Sequence, residues 1–180
     1  MMRTLEETLV QYAACHRDRR NIATHFLGIP LAVFSIVLAL ALVDFPAGGV
    51  TVTLAAIASV GASAYYVKLD PAFGAFIATA LFLMCALASE VVARAPAPAT
   101  LAGAVALFAA GWALQAWGHR LEGFTPAFRV DAAQRLAGPL FLCAQVFFFL
   151  GAKPELHRRI VQQAGPTVAR RGGANMTGAR

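Results

Sequence analysis

The sequence contains little charge, since only 13% of its residues are Asp, Glu, Lys or Arg, against the ~25% of an average soluble domain. Apolar residues make up 59% of the chain. A soluble domain of 180 residues has too small an interior to bury so many apolar side chains. The scarcity of charge therefore excludes an ordinary soluble domain and predicts a polytopic membrane protein.

Cysteine is also scarce, and the three in the chain are Cys15, Cys85 and Cys143. Their odd number and wide spacing exclude a disulfide framework and a zinc knuckle. Glu6 and Glu7 stand where the apolar core of a signal peptide would lie, so none is expected.

The chain has a net charge of +6, and its basic residues lie between apolar runs and in the C-terminal tail. They are not interleaved with aromatic residues on one face, as in nucleic-acid binding. This distribution suits the anionic head groups of a bilayer. We therefore expect membrane lipid as a partner and no nucleic acid.

Four uncharged runs approach the ~20 residues that a helix needs to cross a hydrocarbon core. They are residues 26–43, 50–67, 73–89 and 99–118. A fifth run, residues 136–151, is shorter and contains Gly138, Pro139 and Gln145, so we expect a short or re-entrant helix there. Residues 44–49 predict a tight turn.

Upstream of these runs, residues 4–15 predict an amphipathic helix that lies on the membrane surface or docks on the bundle, with a capping box of Thr4 and Glu7. The predicted fold is all-α: a polytopic membrane helical bundle of four spans, a fifth short or re-entrant apolar helix and an N-terminal interfacial helix. We assign residues 1–152 to a single membrane-embedded helical domain and residues 153–180 to a basic, partly disordered tail.

Charge also predicts an orientation. Four crossings would place the N-terminus and the 119–135 connection on one side, with most of the basic residues, while the opposite loops carry only Arg94. The positive-inside rule makes the basic side cytoplasmic. Abundant Ala and Arg are typical of bacterial proteins, so we expect an inner membrane.

Histidine is rare, and His16 and His25 both lie just before the first run. At ~100° per residue, one unbroken helix would point these two side chains in opposite directions. The charged residues 17–20 are poor membrane material, and Asn21 is a suitable N-cap for a new helix. We therefore expect a helix break that lets both imidazoles face one site.

Gln115, His119 and Glu122 recur at i, i+4 and i+7, so a helix presents them on one face. His119 ends the fourth run on the side of the membrane predicted for His25. Three imidazoles could then meet at one membrane face and hold a metal ion, with Gln115 and Glu122 as further ligands or hydrogen-bond partners. Several histidines with open positions suit non-haem Fe(II) better than a closed structural zinc site.

Each of these residues also has a plain structural explanation. A histidine at a membrane boundary can be an interfacial polar residue, and Asn21 can be a helix cap and nothing more. His157 lies in a stretch, residues 154–159, that reads as a solvated helix start. We include it as a fourth candidate metal ligand.

The motifs His16-x4-Asn21-x3-His25-x2-Gly28-Ile29-Pro30 and Trp112-x2-Gln115-x2-Gly118-His119 resemble those of a family of small polytopic membrane proteins. Its characterised members are 2-hydroxy fatty acid dioxygenases of fatty acid α-oxidation. The resemblance implies Fe(II)- and O2-dependent cleavage of a long-chain 2-hydroxy fatty acid to the acid one carbon shorter. It also implies that His16, His25 and His119 are needed for iron.

In that chemistry, Arg19, Arg20 or Arg120 could pair with the substrate carboxylate, and Glu122 and Gln115 are the candidate catalytic polar groups. This sequence departs from the family pattern at Cys15, at Gln145 and in the short gap between His119 and Glu122.

Two other classes of protein fit the same histidines. One is a haem-binding electron carrier with two imidazoles as axial ligands. The other is a non-catalytic scaffold or small transporter whose histidines only cap helix ends. Both usually place polar groups near mid-bilayer, whereas the candidates here lie at one face. The sequence specifies neither substrate chain length nor oligomeric state.

Overall fold

A computed structural model describes residues 4–123 and 134–169. Within these ranges the chain forms seven helices and one short hairpin. The helices are α1 (Leu5–Ala14), α2 (Arg19–Leu40), α3 (Leu54–Leu69), α4 (Pro71–Arg94), α5 (Ala97–Glu122), α6 (Gln134–Phe149) and α7 (Pro154–Ala164), and the strands are β1 (Asp44–Ala47) and β2 (Val50–Thr53). The expected helical architecture is therefore confirmed.

Three helices, α2, α4 and α5, are long and apolar enough to cross a membrane. The helices α6 and α7 bend by 119° at the break between them and count together as one further candidate. The described ranges thus contain three candidate spans, or up to four. This agrees with an integral membrane protein, while the exact number of crossings stays a prediction.

The second predicted run, residues 50–67, differs from expectation because its first residues form β2. The helix α3 that follows has 16 residues, short of the ~20 that cross a bilayer. Gly48 and Gly49, with φ of 57° and 90°, form the two-residue turn that a mirror-image hairpin requires. The alternating Val and Thr of β2 were the available strand signal.

The backbone divides into two compact units, one from the chain ends (up to Leu27 and from Ala113 onward) and the other Gly28–Trp112. In the first unit α1 packs on α6 and α7. Its core includes Leu9, Leu140 and Ile160, all buried. The segment expected to be a basic tail therefore begins with a packed helix, α7.

The expected capping box of α1 is present. Glu7 N–H donates to Thr4 Oγ1 over 3.2 Å, and Thr4 N–H donates to Glu7 Oε2 over 2.9 Å. The location of α1 at a membrane surface stays a prediction.

The second unit is built on the α3–α4 hairpin. Asp70 caps α4 by accepting from the backbone N–H groups of Ala72 and Phe73, each over 3.0 Å. At Gly74, a Cβ atom would overlap the backbone of Val67 in α3. The close approach of the two helices therefore depends on glycine at this position.

We expect Gly74→Ala to lower the free energy of unfolding by about 1–3 kcal/mol, because the added methyl forces the two backbones apart. The matched control is Gly61→Ala in α3, where a Cβ would meet nothing within 4 Å. Denaturant titration in mixed micelles measures both variants. Equal stability of the two would contradict this account of the hairpin.

Candidate metal centre

The expected helix break between His16 and His25 is present. The helix α1 ends at Ala14 and α2 begins at Arg19. Asp18 Oδ1 accepts from the Arg20 backbone N–H over 2.8 Å, and a carboxylate at this position also complements the helix dipole. The prediction that Asn21 caps the helix is therefore wrong, because Asp18 takes that role and Asn21 lies inside α2.

The break brings three imidazoles together. The ring centroids of His16 and His25 are 4.6 Å apart, and that of His119 lies 4.8 Å from His16 and 4.9 Å from His25. One potential ligand atom from each residue lies within 4.8 Å of the others. All three side chains are buried, so the group could hold a metal ion shielded from bulk water.

Hydrogen bonds set the tautomers of two of these rings. His16 Nδ1 donates to the Tyr12 carbonyl over 2.7 Å, and His25 Nδ1 donates to the Asn21 carbonyl over 2.9 Å. A carbonyl oxygen only accepts, so each neutral ring carries its proton on Nδ1. Each Nε2 is then left with a lone pair, which is the form that a metal ligand requires.

The two Nε2 atoms are 3.2 Å apart. Two lone pairs at that distance repel, and a cation bound to both replaces the repulsion by attraction. Imidazole nitrogens on one ion, at ~2.1 Å and with bond angles between roughly 90° and 109°, lie about 3.0–3.4 Å apart. The donor atoms of His16 and His25 therefore fit a shared metal ion.

Burial lowers the pKa of His16 well below its usual value, and the neighbouring His25 lowers it further. The His16 ring is therefore neutral at neutral pH, and metal binding need not displace a second proton from it.

His119 approaches from the end of α5. Its Nδ1 is buried and has no hydrogen-bond partner among the residues that the structure describes. A buried nitrogen without a partner is costly, and a metal ion bound through this nitrogen would satisfy it. The orphaned atom is a second observation that fits a metal at this place.

Aromatic side chains form one wall of the site. The Tyr12 ring stacks on the His16 ring with centroids 4.0 Å apart and an interplanar angle of 4°. Phe141 of α6 lies 4.9 Å from Tyr12 and 5.7 Å from His16. Burial also raises the pKa of the Tyr12 phenol, so it remains un-ionised. The sequence alone did not indicate this contact of Tyr12 with His16.

Glu122 lies beside the histidines and binds two neighbouring groups. Its Oε2 accepts from Asn21 Nδ2 over 2.6 Å, and its Oε1 accepts from the Arg17 backbone N–H over 2.7 Å. Since the Asn21 carbonyl accepts from His25, Glu122 is linked to His25 through Asn21. Despite the short gap after His119, the carboxylate reaches the site.

Gly118 permits the approach of α5 to α2. A Cβ atom at this position would overlap Thr24 Oγ1 and Asn21 Oδ1. Glycine here lets His119 reach His25, since any larger side chain would push the two helices apart.

His157 lies away from this group. It is exposed on α7, and its ring stacks on Phe148 with centroids 4.4 Å apart. The group of three histidines found in the described residues does not include it. Its role as a ligand stays a prediction without geometric support.

The other candidate residues lie around the site. Arg20 forms a two-point ion pair with the buried Asp18, with Nη2–Oδ2 2.7 Å and Nε–Oδ1 3.1 Å. Arg19 and Arg120 are exposed, and Gln115 is half-buried one turn before His119. Their roles in substrate binding or catalysis stay predictions.

The fold and the site together define a class: helical membrane proteins with a buried candidate metal site made of imidazoles. A family model described as "2-hydroxy-palmitic acid dioxygenase Mpo1-like" matches residues 2–150. The chain therefore belongs to this Mpo1-like family, as the two motifs predicted. No curated protein and no solved structure matches the chain.

We expect Gly118→Ala to weaken metal binding at least ~10-fold, because displaced ligands lose affinity steeply. Gly103→Ala in the same helix is the control, since a Cβ there meets nothing within 4 Å. Isothermal titration with Fe(II) under anaerobic conditions measures both affinities. Unchanged affinity in Gly118→Ala would show that this close approach does not position the ligands.

Replacing Glu122 tests the link through Asn21. Glu122→Ala leaves the Asn21 amide and the Arg17 N–H without their shared acceptor, and we expect a ~10–100-fold loss of metal affinity. Glu122→Gln keeps one carbonyl acceptor and should lose less. Glu90→Gln, which alters an exposed residue paired with Arg94, is the control. Equal affinity of all three variants would exclude a supporting role for Glu122.

Proposed function

We propose that this protein is an Fe(II)- and O2-dependent dioxygenase that cleaves long-chain 2-hydroxy fatty acids to acids one carbon shorter. One observation carries the proposal: the three buried histidines that could hold a metal ion all fall within the stretch matched by the dioxygenase family. We assign His16, His25 and His119 as the iron ligands.

The choice of iron rests on chemistry. Three imidazoles also suit Zn²⁺, but zinc has no redox chemistry and could not support a reaction with O2. When bound, Fe(II) supplies the redox chemistry, with coordination positions that a set of three protein ligands leaves open. If the lost carbon leaves as CO2, the substrate gives up four electrons and one O2 accepts them, forming water. No further reductant is then required.

The protein's own groups have separate roles in this proposal. Tyr12 and Phe141 shield His16 from water, and Glu122 holds Asn21 and through it the ring of His25. Arg20 is already paired with Asp18, which leaves the exposed Arg19 and Arg120 as better candidates for the substrate carboxylate. Gln115 and Glu122 are the proposed catalytic polar groups.

The same spacing disfavours a haem electron carrier. Axial imidazoles on opposite faces of a haem, each at ~2 Å from iron, have their nitrogens about 4 Å apart with the macrocycle between them. His16 Nε2 and His25 Nε2 are 3.2 Å apart, which leaves no room for that plane. A Soret band in purified protein would contradict this argument.

We also propose where the reaction occurs. His25 lies near the start of α2 and His119 near the end of α5, both candidate spans, so the site lies at one membrane face. The excess of basic residues on that side makes it cytoplasmic, in a bacterial inner membrane. The alkyl chain of the substrate would then extend among apolar helices or lipid.

The test combines metal analysis with product analysis. Protein loaded anaerobically with Fe(II) should bind about one ion per chain and convert 2-hydroxypalmitate under O2 to the fifteen-carbon acid. His16→Ala, His25→Ala and His119→Ala should each lose most of the iron and at least ~100-fold in activity, because two ligands rarely hold such an ion. Mass spectrometry of metal and product measures both.

The fourth histidine offers a matched control. His157→Ala should keep its iron and its activity, since His157 stacks on Phe148 outside the group. Loss of iron in this variant would restore His157 as a ligand. Stoichiometric Fe(II) with intact 2-hydroxypalmitate under O2 would refute the proposed reaction for that substrate.

A further inference from the structure

The chain beyond α7 returns to the helix break that follows His16. Val168 N–H donates to the Arg17 carbonyl over 2.8 Å, and Arg19 N–H donates to the Val168 carbonyl over 3.0 Å. These bonds pair Val168 with Asp18 as a parallel bridge. We call residues 165–169 the C-terminal strap.

A side chain adds a second point of attachment. Arg17 Nε donates to the Pro166 carbonyl over 3.1 Å. Its guanidinium lies against Gly165, where a Cβ would come within 2.7 Å of Arg17 Cζ. Gly165 also has a φ of 86°, which glycine adopts without strain.

The strap forms hydrogen bonds with the backbone segment between α1 and α2, where some polar groups have no partners within either helix. Residues between α1 and α2 have N–H and C=O groups without helical partners, and such groups need partners when they are buried. Glu122 accepts from the Arg17 N–H, and the strap binds the Arg17 carbonyl and the Arg19 N–H. Arg17, next to His16, is thus fixed from both sides.

We propose that the C-terminal strap is a positioning element for the candidate metal centre: by fixing residues 17–19, it holds His16 in place opposite His25. The effect on metal binding rests on the proposed metal site, whereas the ordering of the break does not. The strap lies outside residues 2–150, the stretch that the family model matches.

Two substitutions remove the strap's contacts without touching the histidines. Val168→Pro deletes the N–H that binds Arg17, and the conservative Val168→Ala keeps it. Ala169→Pro, at the next and exposed position, is the matched proline control. Gly165→Ala places a methyl where the Arg17 guanidinium lies, so this flexible side chain must move. Gly151→Ala is its control, because Gly151 has a similar φ of 76° and open space around it.

Hydrogen exchange of the metal-free protein tests the ordering. In Val168→Pro, the Arg19 amide should exchange about tenfold faster than in the wild type, because the lost bond to the Arg17 carbonyl no longer holds the Val168 carbonyl in place. Gly165→Ala, which removes only the side-chain attachment, should change the exchange in the same direction but less. Val168→Ala, Ala169→Pro and Gly151→Ala should exchange like the wild type. Unchanged exchange in Val168→Pro overturns the proposal, whether or not the protein binds metal.

Cobalt(II) serves as the spectroscopic probe of the consequence. Val168→Pro should release Co(II) about tenfold faster and show an altered visible absorption band, because one imidazole is less well held. Val168→Ala should keep the wild-type release rate and the wild-type absorption band. Faster exchange with an unchanged spectrum and release rate overturns the positioning role. A wild type that binds neither Co(II) nor Fe(II) refutes the proposed function, and the exchange data then decide alone whether the strap orders the break.

Discussion

The site depends on one kind of local hydrogen bond, which forms once at His16 and once at His25. His16 and His25 each donate Nδ1–H to the carbonyl four residues earlier, Tyr12 and Asn21 respectively. The local backbone therefore sets the tautomer of both rings, with no distant carboxylate required. The result is that both Nε2 lone pairs point to one place, 3.2 Å apart. Such an arrangement is unfavourable alone and favourable around a cation, which is why the imidazoles read as ligands.

The rest of the first unit brings these two hydrogen-bonded histidine rings to face each other. In one continuous helix they would point apart, so the chain breaks after α1 and restarts with Asp18 as its cap. The break exposes backbone groups, and Glu122 and residues 165–169 supply their partners. Glycine at position 118 then admits the third imidazole from α5. Each of these features contributes to the close approach of the three imidazole rings.

Much of this could be predicted from residue spacing, and the misses share one cause. The break between His16 and His25 follows from helical periodicity, and the capping box follows from the spacing of Thr4 and Glu7. The approach of His119 to the other two histidines was expected from a count of four crossings, and that count stays a prediction. The contact of Tyr12 with His16 and the link from Glu122 to Asn21 depend on tertiary approach, which no spacing within one helix contains. Asn21 was assigned as the cap because both Asp18 and Asn21 are good cap residues by type. Only the observed start of α2 at Arg19 shows that Asp18 takes the cap position. The hairpin at residues 44–53 was missed because residues 50–67 were judged only by their lack of charge. The alternation of Val and Thr that indicates a strand was therefore overlooked.

The charge of the site bears on what it would bind. Three imidazoles are neutral ligands, so a divalent ion held by them keeps its full charge in a buried place, where uncompensated charge is costly. Glu122 is a carboxylate linked to the group through Asn21, but it is engaged with Asn21 and Arg17. An anionic ligand that enters the open positions would supply the missing negative charge. A 2-hydroxy carboxylate would do so with two oxygens on adjacent carbons, and this complementarity is an electrostatic reason to prefer such an acid over its neutral ester as the proposed substrate.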